Sequence, residues 1–132
     1  MSSKTNNQEI SDQDLAPVYK LFSRGNYKEA LSLLDNLTQN FPNNDLLYIL
    51  GGDCYANLKE YELAISCYEK AIEINPNSAD SFNNKANALE NLRKFDEAIF
   101  CAKKAIQIKP DFALAFFNLG VNAMHLRLFD LS

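Results

Sequence analysis

Proline, alanine and an aromatic residue recur in one register through this chain, and that period limits the fold more than any other feature. Pro42, Pro76 and Pro110 are spaced by 34 and 34 residues. Ala30, Ala64 and Ala98 keep the same interval, as do Tyr27, Tyr61, Phe95 and Phe129. Self-similarity of this length marks an array of stacked supersecondary units, each too small to bury its apolar face alone.

Each period contains two helical patterns. From Asn44 to Leu58, residues Leu47, Tyr48, Leu50, Tyr55 and Leu58 fall at helical spacings. From Tyr61 to Ile74 a second stripe holds Ala64, Ile65, Tyr68, Ala71, Ile72 and Ile74. The next period repeats both, with Phe82, Ala86, Leu89 and Leu92, then Phe95, Ala98, Ile99, Ala105, Ile106 and Ile108. Joints as short as Lys59-Glu60 and Arg93-Lys94 require neighbouring helices to be antiparallel. Proline lacks the N–H that a continuing helix needs, so each one closes a second helix. Asn43, Asn77 or Asp111 follows it and is expected to cap the next helix. Pro17 interrupts the first pattern, and that helix is expected to start late, near Asp14 or Leu15, and to be short.

These residues resemble the tetratricopeptide repeat family. Tyr48, Gly51-Gly52, Tyr55, Ala64, Tyr68, Ala71 and Pro76 carry its pattern in the second period. The third keeps Phe82, Ala86, Leu89, Ala98, Ala105 and Pro110, but has Lys85 and Ala102 in slots where an apolar and an aromatic residue are usual. The resemblance implies an all-α, right-handed α-solenoid over residues 11–132. Repeats are expected at about 11–44, 45–78 and 79–112, with a partial fourth at 113–132 and a disordered tail over 1–10. Small residues let the helices approach, so leucine at Ala64 or Ala98 is expected to overpack a joint.

The family's first helices line a concave groove that receives a peptide or a partner helix. Here that implies Leu15, Tyr19, Phe22 and Ser23 in the first repeat, then Leu46, Ile49, Asp53, Ala56 and Asn57. The third repeat would supply Asp80, Asn83, Asn87, Glu90 and Asn91, with Asn84 beside them. The fourth would supply Leu114, Phe117, Val121, Met124 and His125, with Asn118 beside them. Asn83, Asn87 and Asn91 recur every four residues, hence on one helical face. Asparagine both donates and accepts, so such a row can bond a peptide backbone without reading its side chains. The row is similar to the asparagine ladder of O-linked N-acetylglucosaminyltransferases, although Leu50 and Ala16 stand in slots equivalent to Asn84 and Asn118. A chaperone-binding subclass clamps a carboxylate with Lys, Arg and Asn. In one register those slots hold Leu15, Tyr19 and Asp80; shifted by one repeat, they hold Ile49, Asp53 and Leu114. Neither register supplies the cations. A neutral or basic segment with apolar anchors suits this groove better.

The fourth repeat stops on an apolar stretch. Phe116, Leu119, Leu126, Phe129 and Leu131 have no following helix, so either further repeats or a second copy is expected against them, the latter giving a homodimer. A protein or peptide partner is the leading expectation. The alternative is a substrate-docking arm ahead of the catalytic domain of a larger bacterial transferase, a sulfotransferase or glycosyltransferase.

Charge and chemistry narrow the other classes. Thirteen basic against 17 acidic residues give a net charge of −4, without the basic run that phosphate neutralisation needs. Cys54, Cys67 and Cys101 are odd in number and form no C-x-x-C pair. That composition points to a reducing compartment, most simply the cytoplasm, with no membrane span. Cys67 and Cys101 occupy equivalent repeat positions, which suits core packing. Gly51-Gly52 lacks the Lys-Ser/Thr of a phosphate loop, and His125 has no ligand at metal spacing. No nucleophile is set beside a base, so catalysis, a metal and a cofactor are not expected.

Overall fold

The structure is a computed structural model that describes residues 9–130. Seven helices run through the described residues: α1 (Asp12–Ser23), α2 (Tyr27–Asn40), α3 (Asp45–Asn57), α4 (Tyr61–Ile74), α5 (Ala79–Asn91), α6 (Phe95–Ile108) and α7 (Ala113–Asp130). Consecutive helices pack antiparallel, and the first helices of successive pairs also meet, α3 with α5 and α5 with α7. The result is the all-α solenoid implied by the repeats, with three pairs and one further helix. Most of the segment read as an N-terminal tail lies outside the described residues, whereas Ile10 packs on the first core cluster.

One turn is used three times between the helices of a pair. Gly25, Lys59 and Arg93, each 34 residues apart, take left-handed φ angles of 76°, 64° and 62°. After α1, Gly25 N–H donates to Phe22 O and Asn26 N–H to Leu21 O, the two crossed bonds of a Schellman stop. Lys59 with Glu60, and Arg93 with Lys94, repeat it. Lysine and arginine hold that conformation against its usual steric cost because both bonds recover carbonyls the helix end would leave open. This turn makes each pair antiparallel.

The turns between pairs differ from the sequence expectation by one residue. Asn44 caps α3, its side chain accepting from Leu46 N–H at 3.0 Å, and Ser78 caps α5, accepting from Ser81 N–H at 3.2 Å. Asn43 and Asn77 are therefore turn residues, and Asp111 likewise precedes Phe112, next to the start of α7. Proline and the residue after it complete the turn before helical geometry begins. The start of α1 is also corrected. Ser11 accepts from Asp14 N–H at 3.1 Å while Asp14 accepts from Ser11 N–H at 3.2 Å, a capping box that begins the helix at Asp12. Pro17 lies within it. The cap and two acidic residues in the first turn, Asp12 and Asp14, offset the backbone bond that proline removes.

Alanines bring the helices together. Ala30, Ala64, Ala71, Ala86, Ala98 and Ala105 are fully buried, with Leu47, Val18 and Tyr68 filling the space between them. The first core cluster joins α1, α2 and α3; another joins α5, α6 and α7. Between them, Ala64 and Tyr68 of α4 meet Ala88 of α5. Leu15 belongs to the first cluster, not to the groove, because it shares a face with Val18 toward α2.

Candidate functional site

The tightest helix approach determines the site. Gly52 of α3 lies under the ring of Tyr68: a Cβ added there would be 2.5 Å from Tyr68 Cε1 and 2.8 Å from two further ring carbons. Gly51 faces Cys67, where an added Cβ would make an ordinary 3.7 Å contact with Sγ. The absence of a side chain at Gly52 lets the Tyr68 ring cross α3 and reach Asp53. The Tyr68 hydroxyl donates to Asp53 Oδ1 at 2.5 Å, and Asn84 Nδ2 donates to the same oxygen at 3.2 Å. Three helices, α3, α4 and α5, thus converge on one carboxylate.

This carboxylate lies in an open cleft of about 250 Å³. Phe22, Ala56, Asn57, Tyr61, Asn84, Asn87, Ala88 and Asn91 line it together with Asp53 and Tyr68. Burial pushes the Asp53 carboxyl above its usual range and the charge of Asp80 adds to this, against the two hydrogen bonds that lower it. Burial, then the charge of Asp53, raises Tyr68, so the phenol keeps its proton and remains the donor.

Because Asp53 is raised in the fold, protonation favours the folded state. Its contribution to stability therefore increases as pH falls through its folded pKa toward the ordinary value of 3.8. Asp53→Asn keeps an acceptor for Tyr68 and removes the charge. We expect its thermal midpoint at pH 7 to equal or exceed that of the natural protein, and the difference to shrink as pH is lowered toward 4. A midpoint advantage that grows with acidification would contradict the assignment.

The expected groove residues fall into three groups. Asp53, Asn57, Asn84, Asn87 and Asn91 meet in the cleft. Asn57 and Asn91 each return a donor to their own helix, to Asp53 O at 2.8 Å and Asn87 O at 2.9 Å. Ile49 packs on the core beside the cleft, and Tyr19 and Asp80 are exposed near it in the chain but do not line it. Asn83 and Asn118 form the second group, only 3% and 6% exposed. Asn118 Nδ2 donates to Asn83 Oδ1 at 2.6 Å, joining α7 to α5, and Asn122 Nδ2 continues the chain to Asn118 O at 2.8 Å. The row of asparagines is thus divided: Asn83 turns inward because α7 covers it, whereas Asn87 and Asn91 stay open. Residues on α7 form the third group. Phe117 is 69% exposed, Leu114, Phe116 and Met124 are also exposed, and Leu119 is half-buried against the α5–α6 core. Leu126 is half-buried, while the Phe129 side chain and Leu131 lie outside the described residues.

Three cleft residues, Tyr61, Tyr68 and Ala88, were not expected. Tyr61 reads as one of the repeating aromatics and Tyr68 as part of the apolar stripe of the second helix, and nothing in the residue pattern singles out Ala88. Tyr61 is the first residue of α4, and the tight Schellman turn brings it back beside the end of α3. Nothing in its spacing distinguishes it from Phe95, which is buried and stacks on His125 with centroids 4.8 Å apart. His125 Nε2 also lies 3.7 Å from Glu90 Oε2, so this histidine ties α7 to α5 and α6.

The remaining reactive groups are quiet. Burial raises the thiols of Cys67 and Cys101, and pushes Cys54 up to about 11, so all three stay protonated at neutral pH. Lys85, in a normally apolar slot, pairs with Glu69 at 3.2 Å. Among the described residues no three His, Cys, Asp or Glu side chains gather as a metal site. No helix among them is long and apolar enough to cross a membrane.

Comparison with known proteins agrees with this architecture. Two family models described as tetratricopeptide repeat match residues 67–100 and 52–78. The probable UDP-N-acetylglucosamine–peptide N-acetylglucosaminyltransferase SEC of Arabidopsis thaliana is 34% identical over 77 residues, 58% of this chain. The matched stretch is 8% of the length of that relative. Among solved structures, the Sgt2 TPR domain from Aspergillus fumigatus superposes with a TM-score of 0.89 at 15% identity, covering 97% of this chain and 86% of that one. The first TPR of Spaghetti (RPAP3) bound to HSP90 peptide SRMEEVD superposes with a TM-score of 0.81 at 21% identity, covering 89% and 97%. Identities this low speak for the fold alone.

Proposed function

We propose, from the premise that this chain is a tetratricopeptide repeat array of about three and a half repeats, that it is a scaffold holding a peptide or protein segment in the cleft of its first helices. The observation that carries the reading is the set of side-chain amides open to the cleft. Asn87 is exposed there and its side chain has no hydrogen bond among the described residues. Asn84 and Asn91 use donors within the fold but keep acceptor oxygens. Such groups bond an extended backbone, while Phe22 and Tyr61 offer apolar surface beside it.

The neighbour bound to the HSP90 peptide indicates what this fold can hold, but the chemistry here differs. That peptide ends Glu-Glu-Val-Asp. Among the described residues no Lys or Arg lines this cleft, whereas Asp53 does. An acidic terminus would meet repulsion, so a neutral or basic segment is the better occupant.

Paired baits test the reading: the natural chain and an Asn87→Ala, Asn91→Ala variant, both presented to lysate from the source organism. A protein held by the first should bind the second about tenfold more weakly, the loss expected from two hydrogen bonds. Both baits must give the same helical circular dichroism. Equal retention, or nothing specific on either bait, would remove support for the cleft as the binding surface.

A second reading is a substrate-docking arm of a larger transferase. Similarity to the Arabidopsis peptide N-acetylglucosaminyltransferase supports it. Here the same cleft would hold the acceptor segment, and the captured protein would be a substrate of the longer chain instead of a separate client.

A further inference from the structure

Charge in the cleft is unbalanced. Asp53 lies between three helices, yet its partners are two neutral donors, Tyr68 and Asn84, and both use Oδ1. Its Oδ2 accepts no hydrogen bond from the described residues. Ion pairs among the described residues lie elsewhere, at Lys70–Glu73 and Lys85–Glu69. Asp80 acts on Asp53 as a second negative charge. A carboxylate partly withdrawn from water without a cation is held less favourably than an exposed one, and an entering cation would offset that.

The walls suit such a cation. Phe22 and Tyr61 add aromatic side chains to the lining, while Tyr68, almost fully buried, presents its hydroxyl to the carboxylate. Aromatic faces attract ammonium and guanidinium groups, more strongly when water is partly excluded. Ala56 and Ala88 leave space for an aliphatic stem, and the amides of Asn87 and Asn91 offer acceptors at the rim. A neutral apolar side chain would fill the space but leave Asp53 unanswered, and an acidic one would add to the repulsion.

We propose that this cleft seats a lysine or arginine side chain of the bound segment, with its cationic head on Asp53 and its stem between Ala56, Ala88 and the aromatic walls. The proposal rests on the reading of the cleft as a peptide site and names the residue that site selects.

A phage-displayed library of random 12-residue peptides, selected separately on the full chain and on Asp53→Asn, distinguishes the two ideas. The natural chain should enrich peptides that share Lys or Arg at one fixed position relative to their apolar residues. A synthetic copy of the leading peptide should lose tenfold or more in affinity when that position becomes norleucine, the scale expected for truncating a partly buried charge pair. Asp53→Asn should bind the basic and norleucine peptides alike, with unchanged helicity. Enriched peptides without a common basic position, or equal discrimination by both chains, would overturn the cation pocket while leaving the peptide cleft standing. Failure to enrich any peptide on the natural chain would overturn both.

Discussion

Replacing Tyr68 with alanine should destabilise the array by about 3–5 kcal/mol, the largest loss we expect from a single side chain. The ring is almost fully buried, covers Gly52 and carries the hydroxyl that holds Asp53. Truncation opens a cavity at the contact between the central helices and also leaves the carboxylate with Asn84 alone. Tyr68→Phe separates the two effects. It keeps the ring and removes the donor, so the expected loss is about 1–3 kcal/mol, the cost of a buried polar group that loses its partner. Urea denaturation of both variants checks the order. A small domain has only about 5–15 kcal/mol in total, so the alanine variant should show a much lower midpoint. Equal losses for the two variants would mean that the hydroxyl, not the packing, carries the contact.

Gly52→Ala should cost about 1–3 kcal/mol, even though alanine is the better helix former by roughly 1 kcal/mol. The new Cβ would fall 2.5–2.8 Å from three carbons of the Tyr68 ring, which is almost fully buried. Two other helical glycines serve as controls. Gly51→Ala would meet only Cys67 Sγ at 3.7 Å, and Gly120→Ala would meet nothing within 4 Å. Both should leave stability unchanged or raise it by up to about 1 kcal/mol, because helix propensity then acts alone. Gly52→Ala combined with Tyr68→Ala should cost less than the sum of the two, since the clash disappears with the ring. Strict additivity would show that Gly52 is needed for some other reason.

Much of this molecule is legible in its residue order. The 34-residue recurrence of proline, alanine and aromatic residues specifies the helix pairs, their antiparallel packing and their stacking, because local propensity and near-neighbour contacts decide all three. Helix boundaries are less legible. Asn43 and Asn44 are both good caps, and Asn77 competes with Ser78; which one serves depends on how many residues the turn after the proline consumes. For α1, the Ser11–Asp14 capping box outweighed Pro17, a balance that propensity alone does not settle.

The candidate site divides along the same line. Helical spacing places Asn83, Asn87 and Asn91 on one face, but a face about 100° wide touches both a neighbouring helix and solvent. Only the position of α7 decides that Asn83 is covered and pairs with Asn118, while Asn87 and Asn91 remain open. Asp53 is likewise a plain groove position until the ring of Tyr68 reaches it across Gly52. The sequence alone determined the repeat and the fold class, since these follow from periodicity and nearest-neighbour packing. Tertiary structure alone decided which of the expected residues line the cleft and which are buried, because burial and hydrogen bonding depend on the helices of the adjoining repeats.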